Sequence, residues 1–298
     1  MYKGWLIYNG GLLDQKFLEL NEWYIQTAAY FDIHLTAVAN SDLVFGIKEN
    51  KPAIMSPIQN PDFVLYLDKD IRLAEQIQLA GIPVFNSAQT IAWCDNKIMM
   101  HQRLAKYGLP QPETIFAPML FPDQVELDIN YLDQIIEQLS LPLIVKEAFG
   151  SFGEQVYLVK NKQELIKTAK ALRFTPHLYQ AYIKSSHGKD IRIHVVGDQV
   201  VASMKRISLC DFRANVSNGA TMEEAEPDAS FKALAVKASQ AVGADFSGVD
   251  LLFAANGNPI ICEVNSNAHI KNIFNCTGID VSEAIFEHII HMLNRIHE

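Results

Sequence analysis

The chain has 298 residues, enough for two domains of roughly 150 residues or three small ones. Its apolar fraction of 49% and charged fraction of 20% are those of an ordinary globular protein. The formal net charge of −9 excludes broad nonspecific nucleic-acid binding, which needs a basic face, but leaves room for a local basic pocket. Cys94, Cys210, Cys262 and Cys276 are scattered and form no CxxC pair, so free thiols in a reducing compartment are expected. Residues 1–11 show no basic segment leading into a long apolar core. No apolar run reaches the ~18 residues that would span a bilayer. A cytoplasmic protein with no nucleic-acid or membrane partner is expected.

Residues 4–9 read as a buried strand stopped by Gly10-Gly11. Asp14 is placed to cap a helix over about 16–31, with Phe17, Leu18, Trp23, Tyr24 and Ala28 at helical spacing. Strands follow at 33–38 and 63–67, then a helix over about 70–80 ending at Gly81, then a strand at 82–85. Strands alternating with helices argue for a small parallel α/β domain. A helix over about 97–107 stops at Gly108, and 109–114, with two prolines, is a rigid connector. A helix at 131–139 leads to a strand at 143–146, a glycine loop at 148–153 and a strand at 155–159. Asn161 with Glu164 is a capping-box pattern opening a helix to about 172. Strands are expected at about 177–183, 191–196 and 199–206, and a helix over about 230–242 ends at Gly243. Strands at 248–254 and 259–264 precede a terminal helix capped by Asp280 with Glu283.

Three groups of residues carry chemistry. In the first, a strand ends in Lys146 and runs into a loop containing Gly150, Ser151 and Gly153. Glycines let backbone N–H groups approach an anion, and the lysine adds positive charge. A plain hairpin with glycine in its turn is the competing reading. The second group is Asp250 on one apolar strand with Glu263 and Asn265 on the next, joined by a turn at 254–258. Residues two apart on a strand share a face, so Glu263 and Asn265 point the same way. Two carboxylates and an amide among apolar neighbours suit Mg²⁺ better than a solvated edge, because buried acids need a compensating charge. The third group is basic. Lys189, Arg192, Lys205 and Arg206 flank the turn Gly197-Asp198, and Arg213 and Asn215 follow. Clustered cations in an acidic chain point to an anion pocket, although surface ion pairing accounts for any one of them.

The order of these motifs resembles the ATP-grasp fold, from about residue 82 to the end. They are Asp-Asn-Lys (95–97), Val-Lys with Gly-Ser-Phe-Gly (145–153) and Gln-Ala-Tyr-Ile (180–183). Gly-Lys-Asp-Ile-Arg (188–192), Asp-Phe-Arg-Ala-Asn (211–215), Gly-Val-Asp (248–250) and Glu-Val-Asn-Ser (263–266) follow. Within that fold, Lys-Asp-Ile-Arg, Phe-Arg-Ala-Asn and Glu-Val-Asn look most like the RimK-type α-L-glutamate ligases. The resemblance implies an α/β chain of the ATP-grasp type. A small parallel α/β domain (1–90) would precede a central subdomain with the glycine loop (91–178) and a C-terminal subdomain with the magnesium site (179–298). It implies that Lys97 and Lys146 contact ATP phosphates under the loop Gly150, Ser151, Gly153. Gln180, Ala181, Tyr182 and Ile183 would read adenine through their backbone, and Asp190, Arg213 and Asn215 would add nucleotide contacts. Asp250, Glu263 and Asn265 would bind Mg²⁺, with Mn²⁺ as the alternative. Arg206 and Arg192 would sit at the reacting groups.

The family usually carries an acid where this chain has Ala181, which puts a ribose contact in doubt. Glu147 has no role in this reading. The implied reaction makes an acylphosphate from a carboxylate and ATP, then an amide with an amine. The implied partners are an amino acid and an amine-bearing peptide, protein or metabolite, and a homo-oligomer is compatible. A dipeptide- or glutathione-synthetase-like ligase and a nonenzymatic nucleotide-binding regulator are the alternatives. The loop at 150–153, with Phe152 as an apolar tip, is expected to close over the phosphates; a fixed turn is the other reading.

Overall fold

The computed structural model describes residues 1–12, 14–56, 59–121, 128–151, 153–216 and 219–297. The first layer comprises β1 (Tyr2–Tyr8), α1 (Gln15–Tyr30), β2 (Ile33–Ala39), β3 (Phe45–Lys48), β4 (Lys51–Ile54), β5 (Phe63–Tyr66), α2 (Ile71–Leu79) and β6 (Val84–Phe85). Four of these strands form a sheet in the order β2-β1-β5-β6, and every pairing in it is parallel. Both its faces are covered. On β1, Trp5 and Ile7 enter one core and Leu6 enters another, which explains the unbroken apolar run. Asp14 stands at the start of α1, but its side chain makes no capping hydrogen bond. Asp70 does cap α2, accepting from the Arg72 and Leu73 N–H groups at 3.2 and 3.4 Å. The half-exposed β3–β4 hairpin was not expected, because it lacks the burial alternation that marks a core strand.

Next come α3 (Ala88–Asp95), α4 (Lys97–Lys106), β7 (Thr114–Phe116), α5 (Ile129–Leu139), β8 (Leu143–Glu147), β9 (Val156–Val159), α6 (Lys162–Leu172) and β10 (His177–Ala181). An antiparallel sheet runs β7-β10-β8-β9. The residues read as a connector thus include a short strand, β7. Helices α5 and α6 cover one face of the sheet through Leu132, Ile135, Leu165 and Ala169. Leu143 and Val145 join that core, so Ile144 and Lys146 face the other way. The Asn161 cap forms: its Oδ1 accepts the Glu164 N–H at 3.0 Å, and Glu164 accepts the Lys160 N–H at 2.8 Å.

The last stretch holds β11 (Lys189–Val196), β12 (Gln199–Ile207), β13 (Thr221–Glu224), α7 (Ala229–Ala241), β14 (Phe246–Phe253), β15 (Pro259–Asn265), α8 (Ile270–Thr277) and α9 (Val281–His297). Its antiparallel sheet runs β13-β12-β11-β14-β15. Ile191, Ile193, Val249 and Leu251 pack on Phe231 and Leu234 of α7 and on Met100 of α4. The expected single terminal helix is preceded by α8, which ends at Gly278 in the left-handed region at φ 73°. Ile273, Phe286 and Ile289 from this tail share one core with Leu6 and Tyr24 of the parallel layer.

A buried amide ties the parallel layer to the five-stranded sheet. Asn86 donates to Phe246 O at 2.9 Å and Ser266 O at 2.8 Å, and accepts from the Asp245 N–H at 2.7 Å. Truncating it would leave these backbone groups unpaired in the interior. We expect Asn86→Ala to lower unfolding free energy by about 3 kcal/mol, since each orphaned buried group costs roughly 1–3. Urea denaturation checks this, and a loss below about 1 kcal/mol would mean water replaces the amide.

Candidate active site

A cleft of about 590 Å³ lies between the two antiparallel sheets and reaches the C-terminal ends of β1 and β5. Lys97, Lys146, Gly150, Ser151 and Gly153 line it, as do Gln180, Ala181, Tyr182 and Ile183. So do Asp190, Arg192, Arg206, Arg213, Asn215, Asp250, Glu263 and Asn265. The structure thus gathers these residues into one cavity, whereas Lys205 of the basic group does not line it.

Two β-bulges set the polar wall. On β11 and β12, Val195 pairs with Val200 but Asp190 pairs with Arg206, so β12 holds one extra residue. On β14 and β15, Leu251 pairs with Ile261 but Asp250 pairs with Glu263, which makes Cys262 the extra residue. A bulge changes which side chains share a face. Here it leaves Ile261 and Val264 in the core while Cys262, Glu263 and Asn265 line the cleft. Asn265 Nδ2 donates to Glu263 Oε1 at 3.1 Å and to Gly248 O at 3.3 Å, which leaves Asn265 Oδ1 as an acceptor. Glu263 and Asn265 Oδ1 are hard oxygen donors that fit Mg²⁺, and Asp250 beside them, both of whose oxygens accept from arginine, adds only the lone pairs left over. Among the described residues no group of three or more His, Cys, Asp and Glu side chains forms a metal site by itself. A small cation here would therefore complete its shell with phosphate oxygens and water.

The basic residues behave differently from the sequence expectation. Arg192 grips Asp250 bidentately, both contacts being 2.7 Å. Arg206 grips Asp190 at 2.7 and 2.6 Å and also reaches Asp250 at 2.9 Å. Arg206 is only 3% exposed. Asp190, read as a nucleotide contact, spends both its oxygens on Arg206. Burial works against ionisation of Asp250, but the Arg192 and Arg206 guanidiniums prevail and hold its carboxyl below the usual range. For Asp190 burial prevails and pushes the carboxyl up, only partly offset by Arg206.

The opposite wall carries the lysines. Lys97 Nζ donates to Gly150 O at 3.0 Å, and Arg213 donates to Gly153 O, so cations tie the glycine loop at both ends. Gly153 sits at φ 74°, where a Cβ would also press on Asn215 Oδ1. Phe152 lies outside the described residues. Lys97 and Lys146 are both buried, and burial lowers the Lys97 pKa, with repulsion from Lys146 and Lys69 adding to it. Glu147, unexplained by sequence, accepts the Tyr157 hydroxyl at 2.8 Å and so braces β8 against β9.

At the end of β10 the Gln180 side chain is committed to structure. It donates to Thr114 Oγ1 at 2.9 Å and meets His101 Nε2 at 3.1 Å, while His101 Nδ1 meets Gln111 Oε1 at 2.7 Å. The partners assign the neutral tautomer with its proton on Nδ1. Ala181 N–H donates to Glu113 O at 2.8 Å. Among the described residues, the Tyr182 and Ile183 N–H groups have no protein acceptor. Ala181 offers no carboxylate; Ser186 and Lys189 are the polar residues lining the cleft nearby in the chain.

Residues missed by sequence reasoning enter from the parallel layer. Asn9, Asp68 and Lys69 line the cleft. Asp68 is pinned by Asn9 Nδ2 at 3.1 Å, Asn40 Nδ2 at 2.8 Å and the Lys69 N–H at 2.7 Å. Ligands of open α/β sheets bind beyond the carboxyl ends of the strands, and that rule applied to β1 and β5 would have found them.

Residues 94–289 match the RimK-like ATP-grasp domain. The chain is 33% identical over 228 residues to N-acetylaspartylglutamate synthase A of Homo sapiens, spanning 76% of this chain but 57% of that protein. It is 32% identical over 220 residues to the probable alpha-L-glutamate ligase 2 of Hahella chejuensis, spanning 72% and 69%. Its fold is similar to that of D-alanine–D-alanine ligase from Bacillus anthracis, with a TM-score of 0.71 at 17% identity, covering 99% and 98% of the two chains. Fold and cleft are those of an ATP-grasp ligase, an enzyme that forms a carbon–nitrogen bond between an acid and an amine. The chain belongs to the RimK-like ATP-grasp family. No helix among its described residues is long and apolar enough to cross a membrane.

Burial holds His101 neutral, lowering its pKa from 6.5 to about 4. The unfolded chain takes up the proton near 6.5 and the folded chain does not, so stability is full above 6.5 and falls as pH drops toward 4. We expect His101 to cost about 2 kcal/mol of stability between pH 7 and pH 5. His101→Gln should lose that part of the pH dependence in urea denaturation, while buried His194, lowered to about 3, contributes equally to both proteins. Identical slopes would show that His101 does not titrate in this window.

Proposed function

We propose that this chain uses ATP and Mg²⁺, or Mn²⁺, to join glutamate or another amino acid to a peptide, a protein tail or a small metabolite. One observation carries the reading: two buried lysines with a glycine loop face an oxygen-donor set across a single cleft. The names of the two sequence relatives support an amino acid as the amine partner. The grouping of the three larger sheets supports a division near residues 1–90, 91–178 and 179–298.

A carboxylate oxygen would attack the γ-phosphorus, breaking its bond to the bridging oxygen, and ADP would leave with that electron pair. An amine nitrogen would then attack the acyl carbon, releasing phosphate that carries the amine proton. Asp250, Glu263 and Asn265 would hold the divalent ion, which would neutralise phosphate charge during transfer. Lys97 and Lys146 would fix the phosphates in line with the carboxylate. The free Tyr182 and Ile183 N–H groups would meet adenine acceptors. Testing Mg²⁺-dependent ADP release with amino acids paired as acid and amine checks the activity. ADP release only with particular pairs supports it, and none with any pair, peptide or metabolite acid refutes it.

Lys97→Ala and Lys146→Ala should each weaken binding of a nonhydrolysable ATP analogue at least about tenfold, because a charged hydrogen bond contributes roughly 1.5–3 kcal/mol. Neither should lower the melting temperature, since each removes a buried ammonium that burial disfavours. Calorimetry beside a melting curve tests both, and unchanged affinity in both variants would remove these lysines from the phosphate site.

A further inference from the structure

Lys69 follows β5 and sits where the parallel sheet meets the glycine loop. Its ammonium donates to Ser151 Oγ at 3.0 Å and is ion-paired with Asp95, two residues before Lys97. Asp68 fixes the backbone from which it extends, because the Asp68 carboxylate accepts the Lys69 N–H and is itself gripped by Asn9 and Asn40. Lys69 lines the same cleft as Lys97 and Lys146. Its charge is close enough to help lower the Lys97 pKa.

A purely structural role explains this placement poorly. The Lys69 side chain is 51% exposed, and a pair of that kind contributes at most about 1 kcal/mol. A third cation beside two buried lysines also adds repulsion unless an anion comes between them. Arg192 and Arg206 are committed to Asp250 and Asp190. Beyond Lys69 the cleft continues along Asn9, Leu12 and Phe17, which leaves room for the acid substrate.

We propose that Lys69 is a third lysine of the phosphoryl-transfer site, contributed by the parallel layer, whose ammonium contacts the transferring phosphoryl group as the substrate carboxylate attacks it. It exchanges the Ser151 hydroxyl for a phosphoryl oxygen and stays anchored by Asp95. In the transferring state the phosphoryl group is partly bonded to both the carboxylate and the ADP oxygens, and its charge spreads over the three equatorial oxygens. Lys97 and Lys146 hold the nucleotide before and during transfer, whereas Lys69 acts on the side from which the carboxylate arrives.

The proposal rests on the ligase reading, and the test separates the two. Calorimetry would compare the native protein, Lys69→Met and Lys69→Arg with two probes: Mg²⁺ with a nonhydrolysable ATP analogue, and Mg²⁺ with ADP and aluminium fluoride, a mimic of the transferring phosphoryl group. Lys69→Met should bind the first probe within about twofold of native and the second about 100-fold more weakly, as when one oxyanion donor is removed. Lys69→Arg should recover at least about tenfold of that loss, because it keeps the charge. Equal binding of both probes by Lys69→Met and native protein overturns the proposal alone, as does an equal loss for both probes. A native protein that binds neither probe overturns the ligase reading and the proposal with it.

Discussion

The cleft depends on four charges arranged as a chain: Asp190, Arg206 and Asp250, all buried, and the partly buried Arg192. They sit on three adjacent strands, β11, β12 and β14, and each carboxylate is gripped by a guanidinium fork. Taking such ions out of water is costly, and the cost is recovered only where geometry is good and every donor is satisfied. Both forks here are bidentate, with contacts of 2.6 to 2.7 Å, and they orient Asp250, whose neighbour across the strand pair is Glu263. The guanidiniums leave Asp250 ionised and fixed. The freer donors, Glu263 and Asn265, are then placed beside it by the bulge at Cys262.

The opposite wall works through unpaired charge. Lys97 and Lys146 are buried and, among the described residues, have weak partners: a loop carbonyl for Lys97 and the Cys262 sulfur at 3.8 Å for Lys146. A desolvated ammonium near an oxygen-donor wall is poised for an anion that brings compensation with it, such as a triphosphate. The polar wall is neutralised from within, whereas the lysine wall awaits ligand charge. That asymmetry supports the proposal that phosphates would lie against the lysines, with a metal between the two walls. The parallel layer closes the third side through Asp68 and Lys69, and Asn86 holds that layer to the five-stranded sheet.

Much of this was legible in the sequence. Strands β8, β11, β12, β14 and β15 announce themselves by short apolar runs, the parallel layer by strands spaced with helices, and the glycine loop by composition. The motif order singled out residues that the fold gathers into one cavity. The registers were not legible. A hairpin paired regularly from the turn at Gly197 and Asp198 would set Asp190 opposite Lys205, and only the extra residue on β12 brings Arg206 there. The same holds for Glu263, which the bulge at Cys262 brings opposite Asp250. Bulges leave little trace in composition, so the difference between a free and a committed arginine was invisible. Short or half-exposed elements, β3, β4, β7, β13 and α8, were missed because few of their residues enter a core. Lys69 was missed because its neighbours in space, Asp95 and Ser151, are distant in the chain.

The charge chain can be tested at its middle. Arg206 is almost wholly buried and touches both Asp190 and Asp250, so Arg206→Met replaces it with a side chain of similar length and no charge. Two carboxylates would then share the interior with Arg192 alone. The measurement is the free energy of unfolding in urea at pH 7. A loss of about 3–5 kcal/mol, as for other broken buried pairs, is the expected result. An unchanged unfolding free energy would contradict the claim that these four charges hold the wall of the cleft together.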